Sequence, residues 1–399
     1  MPPEATQQKL PRSVAMLGLV SLTMDISSEM IHALLPLFLV TVLGASALSV
    51  GVIEGIAEAT AAIAKVFSGA ISDWLGRRKP LLLLGYGLAA FTKPLFPLAD
   101  GIGAVLTARF VDRIGKGIRG APRDALIADV TPPPLRGAAY GLRQSMDTVG
   151  AFLGPLLAMA LMAATADNFR LVFWFAMIPA FVCVALIVFG VHEPDVQRPR
   201  ETRRFPLHRR EIARLPRLFW QITVLGTVLT LARFSEAFLL LRAQNVGLAV
   251  TWVPAILVVM NVVYAASAYP FGALSDKIDR KLLLSGGIGL LIAADLTLAM
   301  ASNAWVVGAG AALWGLHMGA TQGLMTAIVA DTAPADLRCT AFGMFNLVTG
   351  IALLAASVIA GGLWTLFGPA MTFYAGAVFS VIALAGFWAA TRRAAAPRM

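Results

Sequence analysis

Long apolar segments recur along the whole chain, each of about 20 residues and separated from the next by a short polar loop. An α-helix of that length crosses the hydrocarbon core of a bilayer, which is about 30 Å thick. The segments are about twice as long as a membrane-spanning strand and do not alternate in polarity, so a barrel is excluded. They cover residues 14–40, 48–71, 80–99, 103–126, 137–164, 171–191, 219–241, 250–274, 282–302, 305–328, 341–363 and 371–391. The pattern predicts an all-α membrane protein with twelve transmembrane helices, called here the first to the twelfth span.

Basic residues collect at both chain ends and in the loops that follow the even-numbered spans, such as Arg77–Lys79 and Lys281. By the positive-inside rule these loops and both termini are predicted to be cytoplasmic, in a multi-pass protein of a bacterial-type inner membrane. The net charge of +10 therefore reports topology, and a nucleic-acid partner is not expected. The first span is too long and too acidic for a cleavable signal peptide. Two cysteines, Cys183 and Cys339, offer neither a disulfide framework nor a metal cluster.

An internal repeat divides the chain into two halves. The segments GAISDWLGRRK (69–79) and ADVTPPPLRGAAYG (128–141) recur as GALSDKIDRK (272–281) and ADTAPADLRCTAFG (330–343). This duplication predicts two six-helix halves, residues 1–191 and 219–399, joined by a cytoplasmic linker over 192–218. The linker is rich in Pro and Arg and has no apolar face, which is typical of a solvated tether; binding to a lipid surface or a partner is the alternative.

Three motifs resemble those of the major facilitator superfamily. The 69–79 loop is similar to the superfamily's signature loop, and the fourth span, with LTARFVDRIGKG, resembles its second motif. The resemblance implies two halves that rock about a central site, usually in a monomer. It also implies a cytoplasmic gate made by Asp73 and Arg77, with Asp276 and Arg280 at the equivalent positions of the second half. The alternative for the loop's basic residues is that they only mark the cytoplasmic face.

The fifth span resembles the antiporter motif of proton-coupled drug exporters. Gly141, Gly150, Gly154 and Pro155 match the motif, whereas its final glycine pair is replaced by Ala158 and Met159. Positions 150 and 154 share one helical face, where glycine lets another backbone approach closely. Packing alone is the alternative explanation of this spacing.

Ionisable side chains inside the spans are concentrated in the first half. An ionisable residue near the bilayer centre costs about 2.5–3.5 kcal/mol on insertion scales, so each is a candidate for function. A helix turns by about 100° per residue, so four groups of ionisable residues each share one face of one helix. They are Asp25, Glu29 and His32; Glu54, Glu58 and Lys65; Arg109, Arg113, Lys116 and Arg123; and Arg143 with Asp147. The second half keeps Arg233, Glu236, Asp295 and His317, and it has Asn261 where the repeat places Glu58. If these charges only held the fold, both halves would be expected to keep them.

These faces predict a central cavity in which acidic first and second spans face a basic fourth span. Desolvation favours a protonated carboxylate and a nearby cation favours an ionised one, so proton and substrate could compete for one network. The predicted proton-coupling residues are Asp25, Glu29, Glu58 and Asp147. The predicted substrate-binding residues are Glu54, Arg113, Lys116, Arg143, Arg233, Glu236 and Asn261. The alternatives are a static ion-pair network, snorkelling of Arg109 and Arg123, and hydrogen-bonded packing of His32 and His317. A metal-substrate site at Asp25, Glu29 and His32 is conceivable.

Three functions remain open from the sequence. The first is an alternating-access antiporter that exports a small organic molecule in exchange for protons, with the proton gradient as the energy source and no cofactor. The second is a proton-coupled importer or exchanger of an organic anion, such as a carboxylate, a phosphate ester or a siderophore. The third is a membrane enzyme or a sensor, but HExxH, GxSxG and GxxxxGK[ST] are all missing from the sequence, so an enzyme is not expected.

Overall fold

The computed structural model describes residues 10–75, 77–132, 135–193, 212–275, 278–334 and 337–395. Within these ranges every regular element is a helix, as the apolar pattern predicted. Ten of the helical segments there are long and apolar enough to cross a membrane. The fourth and tenth spans, 29 residues each, bring the helical segments to twelve. The prediction of an all-α, multi-pass membrane protein is confirmed.

The helices of the two halves follow each other in the predicted order. In the first half they are Arg12–His32 with Leu35–Thr41, Ala47–Leu75, Lys79–Thr92 with Leu95–Leu98, Ile102–Val130, Arg136–Ala164 and Phe169–Gly190. In the second half they are Arg217–Ala232 with Ala237–Asn245, Val250–Trp252 with Ala255–Ser275, Arg280–Ala299, Ala304–Thr332, Arg338–Phe367 and Pro369–Ala395. Most of the linker predicted over 192–218 lies outside the described residues, and its boundaries stay a prediction.

The first and seventh spans are both broken, at positions that the repeat relates. The first helix ends at His32 and resumes at Leu35, where Pro36 lacks the N–H that a continuous helix needs. In the seventh span the helix ends at Ala232 and resumes at Ala237. Broken helices of this kind free backbone polar groups, and in a bilayer they are tolerated only where protein or a cavity surrounds them. The breaks therefore mark the interior of the bundle.

One end of the bundle is tightly closed between the halves. A Cβ atom on Gly361 of the eleventh span would lie 2.6 Å from the carbonyl oxygen of Ala47, at the start of the second. Nearby, the Leu48 amide donates to Thr365 Oγ1 at 3.3 Å. Fully buried aromatic side chains, among them Phe38 and Phe238, fill the space behind this contact. This end, called the closed end, is opposite the loops after the even-numbered spans.

Toward those loops, which form the basic end, the fifth and eighth spans separate. They touch where Asn261 Nδ2 donates to the carbonyl oxygen of Ala151 at 3.4 Å. Nearer the basic end Gln144 is exposed, and it lines the space between the halves together with Lys65 and Arg123. The space between the halves is therefore reached from the basic end.

Candidate functional site

A cavity of about 480 Å³ lies between the two halves. This volume is within the range of small-molecule sites, about 300–1,000 Å³. Its polar lining comprises Asp25, Glu29, Glu58, Lys65, Lys116, Arg119, Arg123, Gln144, Asp147, Thr148, Asn261, Tyr264 and Asn346. Four of these side chains are acidic and four are basic, and all eight come from the first half. The cavity is therefore strongly polar on one wall and uncharged on the other.

The glycines of the fifth span pack directly against two acidic residues of the first span. A Cβ atom on Gly150 would lie 2.8 Å from Cβ of Asp25, and one on Gly154 would lie 2.5 Å from Cβ of Glu29. Carbon atoms in contact are normally about 3.5–4.0 Å apart, so any side chain at these positions would push the helices apart. At Gly141 the space is open, with nothing within 4 Å. Two of the three motif glycines thus set the position of Asp25 and Glu29 at the cavity wall, next to the buried Pro155.

Three of the four acidic residues in the lining have a close partner. Glu58 Oε1 is 3.0 Å from Arg113 Nη1, and Asp147 Oδ2 is 2.9 Å from Arg143 Nη1. Glu29 Oε2 is 3.2 Å from Nδ1 of His32. Asp25, in contrast, forms no hydrogen bond or ion pair within the described part of the chain. It is the carboxylate whose oxygens are most available to a proton or a ligand.

The basic wall also contains both engaged and available side chains. Arg123 donates to Ser21 Oγ at 2.9 Å, and the guanidinium of Arg119 lies 4.6 Å from the ring centre of Tyr86. Lys65 and Lys116 are exposed within the cavity and make no hydrogen bond or ion pair with other described residues. Their ammonium groups are therefore available to an anionic group of a ligand.

Several predicted substrate-binding residues lie outside the cavity lining. Arg113 and Arg143 reach its edge only through the ion pairs that they form with lining carboxylates. Glu54 is 1% exposed and pairs with Arg109 at 2.9 Å. Arg233 and Glu236 occupy the break of the seventh span and do not line the cavity. The charge pattern identified these residues but could not separate a lining side chain from the partner behind it.

Sequence reasoning missed several polar residues of the site. Tyr264 and Asn346 line the uncharged wall, and the hydroxyl of Tyr264 donates to Gln322 Oε1 at 2.9 Å. Lys93, 1% exposed, pairs with Asp112 at 2.9 Å behind the basic wall. A single lysine in an otherwise apolar third span was a usable signal. Neutral polar residues are too common in helices to provide one.

His317 and Asp295, the other two ionisable residues that the sequence identified in the spans of the second half, are buried away from the cavity. His317 is 0% exposed and its Nδ1 lies 2.7 Å from the carbonyl oxygen of Gly287, consistent with a packing role. Asp295 is also 0% exposed, and neither of its carboxyl oxygens has a hydrogen-bond partner among the described residues. A Cβ atom on Gly376 would lie 2.7 Å from Asp295 Oδ2, so the twelfth span covers this carboxyl group.

At the basic end, part of the predicted gate lies outside the described residues: Asp276, and the side chains of Asp73 and Arg280. Arg77 is exposed. Its neighbour Arg78 is 4% exposed, donates to Ser72 Oγ at 2.6 Å and lies 3.6 Å from Asp129 Oδ2. In this conformation it is Arg78 that joins the helix ends of the first half.

No group of three or more His, Cys, Asp and Glu side chains in the described ranges is arranged to hold a metal ion. The metal-substrate alternative at Asp25, Glu29 and His32 thus gains no support from the geometry. The cavity thus combines carboxylates that are paired with basic side chains and charged groups that have no partner among the described residues.

Comparisons with known proteins agree with this architecture. The family model described as Major Facilitator Superfamily matches residues 17–256 and again residues 237–398. An uncharacterised MFS-type transporter of Methanocaldococcus jannaschii is 34% identical over 387 residues, which is 94% of each chain. The crystal structure of the human organic anion transporter MFSD10 has a TM-score of 0.69 at 18% identity, covering 96% of this chain and 100% of that one. The nucleoside transporter NupG has a TM-score of 0.80 at 11% identity, covering 94% and 99%.

The family match extends over both halves, and the archaeal relative covers nearly the full length at more than 30% identity. With twelve membrane-spanning helical segments among its described residues and a polar cavity between its halves, this chain belongs to the Major Facilitator Superfamily of secondary transporters.

Proposed function

We propose that this transporter is a proton-coupled antiporter that exports a small organic molecule by alternating access. The observation that carries the proposal is the packing of Gly150 and Gly154 onto Asp25 and Glu29. It sets two carboxylates at the wall of the cavity that a substrate would occupy. A proton and a substrate that share one site can exclude each other, and mutual exclusion is the basis of exchange.

The state of the bundle fits the first step of export. The cavity is reached from the basic end, which the positive-inside rule assigns to the cytoplasm, and the opposite end is closed. Rocking of the halves about the cavity would then expose it to the other side, as in other transporters built from repeats. One charge moved through 100 mV yields about 2.3 kcal/mol, which sustains roughly a fifty-fold gradient. A single exchanged proton is therefore sufficient for useful export.

The test is flux in proteoliposomes with an imposed pH gradient, measured with a panel of radiolabelled organic anions and lipophilic cations. Asp25→Asn and Glu29→Gln should each abolish gradient-driven accumulation, because the amide cannot carry the proton. Asp100→Asn is the matched control, since Asp100 is 94% exposed in a loop at the closed end. Undiminished accumulation in both cavity variants would contradict the proposal and direct attention to Glu58.

A second candidate, exchange of an organic anion, is favoured by the two unpaired lysines. Lys65 and Lys116 face the neutral side chains of Asn261 and Asn346 across the cavity. Loss of one charge-assisted hydrogen bond costs about 1.5–3 kcal/mol, which is roughly a ten- to hundred-fold rise in KM. Lys116→Gln should raise KM by that amount for a transported carboxylate and leave it unchanged for a lipophilic cation. Lys281→Gln, exposed outside the cavity, is the control; an unchanged KM for the carboxylate in Lys116→Gln would remove this candidate.

A further inference from the structure

His32 lies between two carboxylates that belong to different helices. Its Nδ1 is 3.2 Å from Glu29 Oε2 in the first span, and its Nε2 is 3.7 Å from Glu54 Oε2 in the second. The imidazole side chain is only 13% exposed, so water does not surround it. The two ring nitrogens thus point to two separate acidic groups, which a purely structural histidine does not require.

The three residues form a line that leads away from the cavity. Glu29, 25% exposed, lines the cavity, whereas Glu54 is 1% exposed and does not. Glu54 lies further toward the closed end than Glu29, one turn to the cavity side of the Gly51–Ser357 contact that seals this end. His32 is the last residue of the helix before the break in the first span. The line therefore joins the open cavity to the buried seal.

Glu54 has an oxygen that the static structure does not account for. Its Oε2 accepts a hydrogen bond from Arg109 at 2.9 Å, but Oε1 is buried without a hydrogen-bond partner among the described residues. A buried, unpartnered carboxyl oxygen is costly unless something occupies it at some stage of the cycle. A proton on Oε2, the oxygen that faces His32, would neutralise the carboxylate and lower that cost without any rearrangement of the backbone.

From this geometry we infer that Glu54, His32 and Glu29 form a proton relay, which connects the cavity to a buried acid beside the closed end. In the transfer toward the cavity, Oε2 of Glu54 loses a proton and the ring gains it at Nε2, forming an imidazolium. The ring then releases its Nδ1 proton to Glu29, so an N–H bond breaks and an O–H bond forms. One proton has moved, and the ring is neutral again. The reverse sequence charges Glu54 from the cavity.

His32 Nε2 and Glu54 Oε2 are 3.7 Å apart, so proton transfer between them is the step that depends on conformation. This distance exceeds a normal hydrogen bond by about half an ångström, and the ion pair with Arg109 holds Glu54 in that position. The charged groups that face the relay are Arg109 near Glu54, Arg113 and Lys116 near Glu29, Glu58 near His32, and Glu236 from the seventh span. Because Glu236 lies in the second half and His32 in the first, rocking of the halves changes the field at the ring. The relay thus rests on the proposed proton coupling and supplies its route.

The relay can be tested without a known substrate, with the proton as the probe. Purified protein in lipid is given a pH jump, and protonation of Glu54 is followed by time-resolved infrared absorption of the carboxyl C=O group. The Glu54 band is assigned as the one absent from Glu54→Gln. Since general acid–base transfer contributes factors of about 10²–10⁴, His32→Gln should slow protonation of Glu54 at least about tenfold. Protonation of Asp25, which lies in the cavity and outside the relay, should keep its rate.

An unchanged rate for Glu54 in His32→Gln would overturn the inference. Should that variant fail to fold, Glu29→Gln decides the question, because it removes the cavity-facing acceptor and predicts the same slowing. This readout does not require transport, so failure of the relay and failure of the proposed function can be distinguished. Absence of gradient-driven flux in proteoliposomes of the wild-type protein would contradict antiport. Coupled flux in the wild-type protein, together with unaltered Glu54 kinetics in both variants, would contradict only the relay.

Discussion

Substitution of Gly154 by alanine tests whether the fifth span must touch the first. The added Cβ atom would lie 2.5 Å from Cβ of Glu29 and 3.0 Å from the carbonyl oxygen of Ile26. Relief of the first contact alone requires a displacement of about 1 Å, since carbon atoms in contact stay about 3.5–4.0 Å apart. Overpacking of this kind costs typically about 1–3 kcal/mol. Alanine offsets part of that cost, because it favours a helix over glycine by about 0.8–1.0 kcal/mol.

Gly141→Ala is the matched control, on the same helix with nothing within 4 Å of the added atom. It gains the helix propensity without the clash, so it should unfold at or above the wild-type temperature. Gly154→Ala should unfold at a lower temperature than Gly141→Ala and lose gradient-driven flux, because Glu29 is displaced with the first span. Thermal unfolding followed by tryptophan fluorescence, in detergent, gives the comparison. Equal unfolding temperatures for the two variants would refute the close approach of these helices.

Three further predictions follow from contacts elsewhere in the bundle. Arg109→Ala leaves Glu54 as a buried, unpaired charge and should cost about 3–5 kcal/mol of unfolding free energy. Addition of Glu54→Gln should recover most of that loss, and a denaturant titration that shows no recovery would argue against the pair. Asp295→Asn, which breaks no hydrogen bond among the described residues, should change the unfolding free energy by less than about 1 kcal/mol, and a larger loss would reveal a partner for the carboxyl group. A Leu48→Cys, Thr365→Cys pair should form a disulfide at the closed end and stop flux until a reductant is added, and full flux in the oxidised protein would mean that this end need not open.

The sequence alone determined the membrane architecture. Twelve apolar segments of membrane-spanning length are expected to be helices in lipid, because a helix satisfies its own backbone hydrogen bonds. The repeat of the 69–79 loop at 272–281 divided them six and six, and each predicted span coincides with a helical segment. Periodicity also placed Asp25 and Glu29 on one face, and spacing identified Gly150 and Gly154 as a surface for close helix contact.

Only the tertiary structure decided which charges face the cavity and which neutralise each other. Helical periodicity gives the face of one helix but not the rotation of its neighbour, so the pairing of Glu54 with Arg109 and of Glu58 with Arg113 was not predictable. For the same reason Lys65 and Lys116 could not be distinguished from the paired bases around them. His32 was expected to have a packing role, because its second partner, Glu54, is on another helix. Contacts between helices depend on how whole faces pack, and a pattern read along one chain contains no distance between them.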